Sequence, residues 1–290
     1  VNLKTGKTRG EISNPAETGT LLIEFGALSK LTGKTVYYEK AKRALVETFN
    51  RRSKIGLVGQ NINVETGEWT NTDSHVSGAI DSYYEYLLKC AILFADADCR
   101  KMWEESIGPV NKYLADEVNG ELWYGHADMN TGKRGARTSG ALDAFFPAVL
   151  ALGGDLDRAK RLQDSAFKMW NKHGIEPEEF DYKKGEVTDG GYPLRPEIIE
   201  STYYLLKYTD DEKYAAMGMT MFDDFRKYCR TDVAYAGIKD VRTMEKTDYM
   251  HSFALAETLK YFYLIFAPPQ TIDLKTTVFN TEAHPIRKQW

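Results

Sequence analysis

Arg195, Glu197 and Glu200 crowd around Pro196 in the run Tyr192-Pro193-Leu194-Arg195-Pro196-Glu197-Ile198-Ile199-Glu200-Ser201. Proline lacks an N–H and has a fixed φ, so it suits the first position of a helix. A helix starting at Pro196 carries both glutamates in its first turn on one face. There the positive end of the helix dipole favours the ionised carboxylates. A helix start by itself needs only a Ser, Thr, Asp or Asn cap. Arginine and two acids at one turn suit acid/base chemistry or the holding of a polar ligand; the plain alternative is surface ion pairing that only caps the helix.

Two further segments carry polar groups at structural boundaries. Asp81 precedes Ser82-Tyr83-Tyr84-Glu85-Tyr86 at a predicted helix start, where Ser82 with Glu85 also reads as cap chemistry. Near the C-terminus Asn280-Thr281-Glu282-Ala283-His284-Pro285 is a polar turn after an alternating, β-branched run over residues 271–278. Taken alone it is an ordinary turn, and His284 reads as structural.

The elements that must position these residues are mostly helical. Helical periodicity covers residues 18–31, where Leu21, Leu22, Phe25, Leu28 and Leu31 form one apolar stripe, and residues 36–49, with Gly33 between them. Further helical runs cover 77–95, 99–114, 140–152, 156–173, 196–208, 211–229 and 249–266, with Asp210-Asp211 as a cap for the last but one. Segments 59–70, 122–133, 181–191 and 234–241 flank turn residues with β-prone ones, as short hairpins do. Helix, hairpin, helix at intervals of several tens of residues predicts stacked αα-hairpins that close into an (α/α) toroid. The class expected is all-α with small β-hairpins.

Composition narrows the partners. At 290 residues, with 42% hydrophobic content and no Pro/Gly/Ser-rich linker, the chain is expected to form one domain. A net charge of −4 with mixed signs leaves no footprint for nucleic acid or an anionic membrane. No apolar run is long enough to span a bilayer. Eighteen tyrosines and five tryptophans supply flat amphipathic rings of the kind that line carbohydrate sites, although most such rings serve packing. Cys90, Cys99 and Cys229 lack metal-ligand spacing, and one of three must stay unpaired within the chain. There is no Ser-nucleophile elbow, P-loop, dinucleotide fingerprint or His-Glu-X-X-His motif.

The Arg-Pro-Glu segment and the Asn280–Pro285 turn together resemble glycoside hydrolase family 47, the class I α-1,2-mannosidases. Leu22-Ile23-Glu24-Phe25, Gly78-Ala79-Ile80-Asp81-Ser82-Tyr83-Tyr84-Glu85-Tyr86 and Ala256-Glu257-Thr258-Leu259-Lys260-Tyr261 add to the likeness, in family order along nearly the whole chain. The branch it is most similar to is that of the ER degradation-enhancing mannosidase-like proteins and their bacterial relatives. The resemblance implies an (α/α)7 barrel plugged by a C-terminal hairpin, of which the helices here supply the C-terminal majority, about five pairs. The family's domain extends upstream of the point matching Val1 and carries a glutamate regarded as a general acid there. A single catalytic domain over residues 1–290, incomplete at its N-terminus, is therefore expected.

The same resemblance implies an inverting exo-α-1,2-mannosidase, dependent on Ca2+, acting as a monomer on high-mannose N-glycans. Glu197 is then the general base and Asp81 helps to protonate the leaving oxygen, with the two carboxyls about 6.5–9.5 Å apart to admit water. Thr281 binds Ca2+ through its carbonyl and hydroxyl oxygens, while Glu200, Glu257 and Glu282 hold the metal's waters. Arg195 and Phe253 contact the mannose, and Glu24 is a cleft acid. Ala79 and Ala141 replace an arginine and a histidine of one subfamily, which implies a wider cleft. The implied location is the secretory route: the ER lumen in a eukaryote, the periplasm or outside in a bacterium. The rival reading is a calcium-dependent glycan-binding module on the same fold, without turnover.

Overall fold

The computed structural model describes residues 2–289. Two compact units emerge: one runs up to Leu114 and takes in His126–Gly135, the other comprises Ala115–Gly125 and the chain from Ala136 onward.

In the first unit the helices are α1 (Pro15–Gly19), α2 (Leu22–Thr32), α3 (Val36–Asn50), α4 (Asp81–Phe94) and α5 (Ala97–Tyr113). Asn14 caps α1 by accepting from the Glu17 N–H, and Gly33 ends α2 in the left-handed conformation with φ 70°. Of the stripe expected to bury α2 only Leu22 is buried: Leu21, Phe25 and Leu28 are each 38% exposed and Leu31 is 77% exposed. Ile23 and Gly26 complete the buried face with Leu22. A Cβ on Gly26 would lie 2.2 Å from the Phe94 ring, so the bare glycine lets α4 press directly on α2. A periodicity scan that counts only large apolar residues misses a face built on glycine.

Helices α4 and α5 form a hairpin stapled by the Cys90–Cys99 disulfide, which leaves Cys229 buried and free. Asp96 caps α5 through the Cys99 N–H at 3.0 Å. The expected cap of α4 is corrected: Glu85 pairs with Lys89 inside the helix, both fully buried. Asp81 instead accepts from the Ser82 N–H and, at 2.7 Å, from its hydroxyl.

The second unit contains α6 (Phe146–Leu152), α7 (Leu156–His173), α8 (Glu197–Thr209), α9 (Glu212–Cys229) and α10 (Leu259–Phe266). Helices α6 with α7 and α8 with α9 pack as antiparallel-type hairpins joined by short turns. Two runs expected to be wholly helical start irregularly. Residues 142–145 form a 3₁₀ turn before α6, and the π-helical turn Ala254–Thr258 precedes α10. The core gathers Trp170, Tyr192, Ile198, Tyr203, Phe225, Tyr261 and Phe279, all essentially without exposed surface.

Short antiparallel ribbons connect the helices. Asn61–Asn63 pairs with Trp69–Asn71, and Glu179–Asp181 pairs with both Glu186–Asp189 and Thr138–Gly140. Near residues 122–133 the ribbon is displaced: Glu121–Tyr124 pairs backwards with Ala115–Val118 through Asn119-Gly120. Both turn residues have positive φ, 55° and 79°, the backbone that an Asn-Gly hairpin turn requires. The Asn130-Thr131-Gly132 turn also forms, closed by the Asp128 N–H on the Lys133 carbonyl at 3.0 Å. The 234–241 ribbon lies slightly later, with Ile238–Asp240 against Glu245–Lys246. Thr277–Phe279 pairs with Pro285–Arg287, so the polar turn at Asn280 is a hairpin tip.

Candidate active site

Three of the turns that carry predicted site residues contain a non-glycine residue at positive φ. Ala79 (72°) precedes Asp81, Leu194 (70°) precedes Arg195, and Ala283 (55°) follows Glu282. Such backbone costs on the order of 1–3 kcal/mol per residue and persists only where the surroundings impose it. At Leu194 the restraints are explicit. The Thr258 hydroxyl donates to the Leu194 carbonyl at 2.6 Å, and the buried Tyr192 hydroxyl donates to the Arg195 carbonyl at 3.0 Å.

That turn delivers Arg195 and the start of α8. Pro196 occupies the cap position and Glu197 the first helical one, a shift of one residue from the sequence expectation. Arg195 grips Glu178 through both carboxylate oxygens and lies 5.6 Å from the centre of the Phe253 ring. Glu178 is fixed in turn by its N–H on the Gly191 carbonyl at 2.7 Å. Glu197 Oε2 is sealed from solvent with no hydrogen-bond partner. Burial is the main force that raises its pKa to about 8; Arg195 pulls it down, and the charges of Glu200 and Glu178 push it up.

Further acids gather around Glu197. Glu200, buried one turn along α8, accepts from the Tyr261 hydroxyl at 2.9 Å. Glu257 sits in the π-helical turn, a distortion that recurs at functional sites because it re-aims side chains. Burial first, then the charges of Glu200, Glu282 and Glu197, lift Glu257 to about 9. Glu282 is exposed and hydrogen-bonds Glu257. Thr281 stands beside Glu282 at the hairpin tip. The side chain of buried Asn280 accepts from the Glu282 N–H at 3.1 Å and the His284 N–H at 2.7 Å, and Lys260 Nζ donates to the Ala283 carbonyl at 2.7 Å. The structure thus brings Arg195, Glu197, Glu200, Phe253, Glu257, Thr281 and Glu282 to one region of the second unit.

Asp81 and Glu24 belong to the first unit. Asp81 is half-buried at the start of α4, and Tyr86 on the same helix donates to Glu24 on α2 at 2.6 Å. Ala141 has no exposed surface, so it lines no open cleft.

The acidic cluster suits a hard divalent cation. Its carboxyls are crowded, since the charges of Glu200, Glu282 and Glu197 all push on Glu257, while Lys260 donates to the Ala283 carbonyl and Arg195 pairs with Glu178. Among the described residues, the three-ligand groups close enough for direct coordination lie elsewhere. In Cys90/Asp96/Cys99 both sulfurs are in the disulfide, and in Asp73/His75/His126 the Nδ1 of His75 already accepts from the Ser77 N–H.

Sequence reasoning missed two acids. Glu178 holds Arg195, and Glu176 has no exposed surface and no partner on either carboxyl oxygen. Burial, then the charge of Glu197, drives its pKa far up. The available signal was the run Glu176-Pro177-Glu178-Glu179 just ahead of Arg-Pro-Glu.

Residues 1–288 match the profile of glycosyl hydrolase family 47, and the chain belongs to that family. It is 37% identical over 291 residues to an alpha-mannosidase I of Arabidopsis thaliana, covering 99% of this chain and 50% of that protein. It is 38% identical to the human ER degradation-enhancing alpha-mannosidase-like protein 3, covering 98% of this chain and 31% of that protein. The solved alpha-1,2-mannosidase from Trichoderma reesei superposes with a TM-score of 0.89 at 27% identity, over 98% of this chain and 67% of that one. The fold class is therefore the (α/α) barrel, all-α with small β-hairpins. The chain spans about half the length of the Arabidopsis relative.

Proposed function

We propose that this chain carries the catalytic base, sugar contacts and cation site of an inverting exo-α-1,2-mannosidase acting on high-mannose glycans. The observation that carries this reading is Glu197: a carboxyl sealed at one oxygen, raised to about 8, beside an arginine and within a ring of acids. A general base works best with a pKa near the operating pH, and burial supplies that here. In the proposed reaction Glu197 takes a proton from water as the water oxygen attacks the anomeric carbon. The glycosidic C–O bond breaks, and Asp81 assists proton delivery to the departing oxygen. Arg195, Phe253 and Glu24 are assigned to sugar contacts.

Calcium is the proposed cation, with Thr281 as protein ligand and Glu200, Glu257 and Glu282 holding its waters; it would supply orientation of sugar hydroxyls and offset the crowded charge. The Cys90–Cys99 disulfide and the name of the human relative favour an oxidising secretory compartment. One domain over residues 1–290 is proposed, because the family match crosses both units without a break. The test is to incubate the protein with a high-mannose oligosaccharide, with and without chelator, and follow released mannose and its anomer by NMR. Release of β-mannose that chelator abolishes supports the reading; sugar binding without release supports the glycan-binding alternative.

A further inference from the structure

Beyond the acids, an aromatic ladder leads away from Arg195. Phe253, already under the Arg195 guanidinium at 5.6 Å, stacks on His251 with centroids 4.8 Å apart and planes within 10°. His251 meets Tyr249 edge-to-face, 4.4 Å between centroids at 79°. Phe253 and His251 are half-buried, but Tyr249 is 62% exposed. An edge-to-face contact with His251 leaves at least one face of the Tyr249 ring uncovered. The backbone beneath is firm, since the Gly237 N–H donates to the Tyr249 carbonyl at 3.1 Å and the Thr247 N–H donates to the Gly237 carbonyl at 2.8 Å.

Beside the ladder lies a shallow cavity of about 290 Å³, bordered by Pro193, Gly237, Lys239, Thr247, Tyr249 and His251. Its walls are apolar backbone and ring surface. The polar side chains at its border are the His251 imidazole, the Thr247 hydroxyl, which donates to the Gly237 carbonyl at 3.2 Å and keeps its lone pairs to accept, and the Lys239 ammonium, which pairs loosely with Glu245 at 3.3 Å. A pyranose presents the matching surface: one face of C–H bonds for an aromatic ring, and an equatorial rim of hydroxyls for an ammonium, a carboxylate and a hydroxyl. The exposed, restrained Tyr249 opens onto a pocket that reaches the Arg195 turn through Pro193, and its edge-to-face packing on His251 leaves ring surface free for a ligand.

We infer that Tyr249 and His251, with Lys239 and Thr247, form an outer sugar subsite that receives a pyranosyl unit of the oligosaccharide beyond the one cleaved. This rests on the function proposed above, and it makes the enzyme select for chain length. Kinetics follow α-1,2-linked mannobiose and mannotriose with the wild type, Tyr249→Ala and Tyr249→Phe; mannotriose binding to each protein is read separately by saturation-transfer NMR. The wild type should favour the trisaccharide in kcat/KM; Tyr249→Ala should cut that preference by about tenfold, mainly through KM, and Tyr249→Phe should keep it. Hydrolysis absent in the wild type would defeat the proposed function, yet the NMR arm would still decide the subsite. An unchanged preference, or in its absence unchanged mannotriose binding, in Tyr249→Ala would overturn the subsite.

Discussion

The Thr258 hydroxyl donates a 2.6 Å hydrogen bond to the carbonyl of Leu194, 64 residues earlier in the chain. It ties the π-helical turn that carries Glu257 to the positive-φ turn that delivers Arg195 and Glu197. Both residues are fully buried, so the bond works in a dry setting where a lost partner is costly. The two halves of the acidic cluster are thereby held as one piece.

Thr258→Val keeps the shape and removes the donor. We expect a loss of about 1–3 kcal/mol in stability from the orphaned Leu194 carbonyl. Activity should fall further than that loss explains, because the Leu194 turn is free to relax. Chemical denaturation together with kcat at a temperature where both proteins are folded checks this; unchanged stability would mean that the tie contributes nothing.

Glu176 should behave in the opposite way. A buried acid with no partner is a burden on the fold, so Glu176→Met, similar in size and apolar, should raise stability by about 1–3 kcal/mol. If the acid serves the site, the same variant should lose activity, by altering the surroundings of Glu197. Melting curves and rates measured on one preparation test both halves, and a destabilised variant would show that Glu176 is satisfied after all.

Stability should also depend on pH in a direction opposite to that of a salt-bridged carboxylate. Glu197 and Glu257 have pKa values near 8 and 9 in the folded protein, against an ordinary 4.5. Between the unfolded and folded values the native state holds the extra protons. Their contribution is full at pH below the ordinary value and is lost as pH rises through 8 and 9, at up to about 1.4 kcal/mol per pH unit for each group. Calcium should flatten this decline by favouring the ionised forms. Melts at pH 5, 7 and 9 with calcium or with chelator decide it; curves that coincide at every pH would remove the cation from the acidic cluster.

The helices were readable because their signals are local. The run 156–173 read from its 3.6-residue periodicity is the whole of α7, and α8 starts one residue after the expected Pro196. What escaped depends on neighbours distant in sequence. The buried face of α2 exists because Phe94 lies against Gly26, and no pattern within residues 18–31 records that. Glu257 was legible as a family position, but the π turn beneath it was not, since Ala254–Thr258 reads as ordinary helix. Glu176 and Glu178 escaped because their meaning arises only when the ribbon containing Glu179–Asp181 folds them onto Arg195. Asn119-Gly120, by contrast, was a strong local turn signal, and weight placed on Asn130-Thr131-Gly132 hid it.

The central claim is that Glu197 is the base. It is tested most directly by the rate of mannose release from Glu197→Gln, set beside that variant's affinity for the same oligosaccharide. The substitution keeps the shape and removes the proton acceptor, so kcat should fall by about 10²–10⁴-fold while binding stays within a few-fold of the wild type. A Glu197→Gln protein that keeps most of its kcat would contradict the assignment.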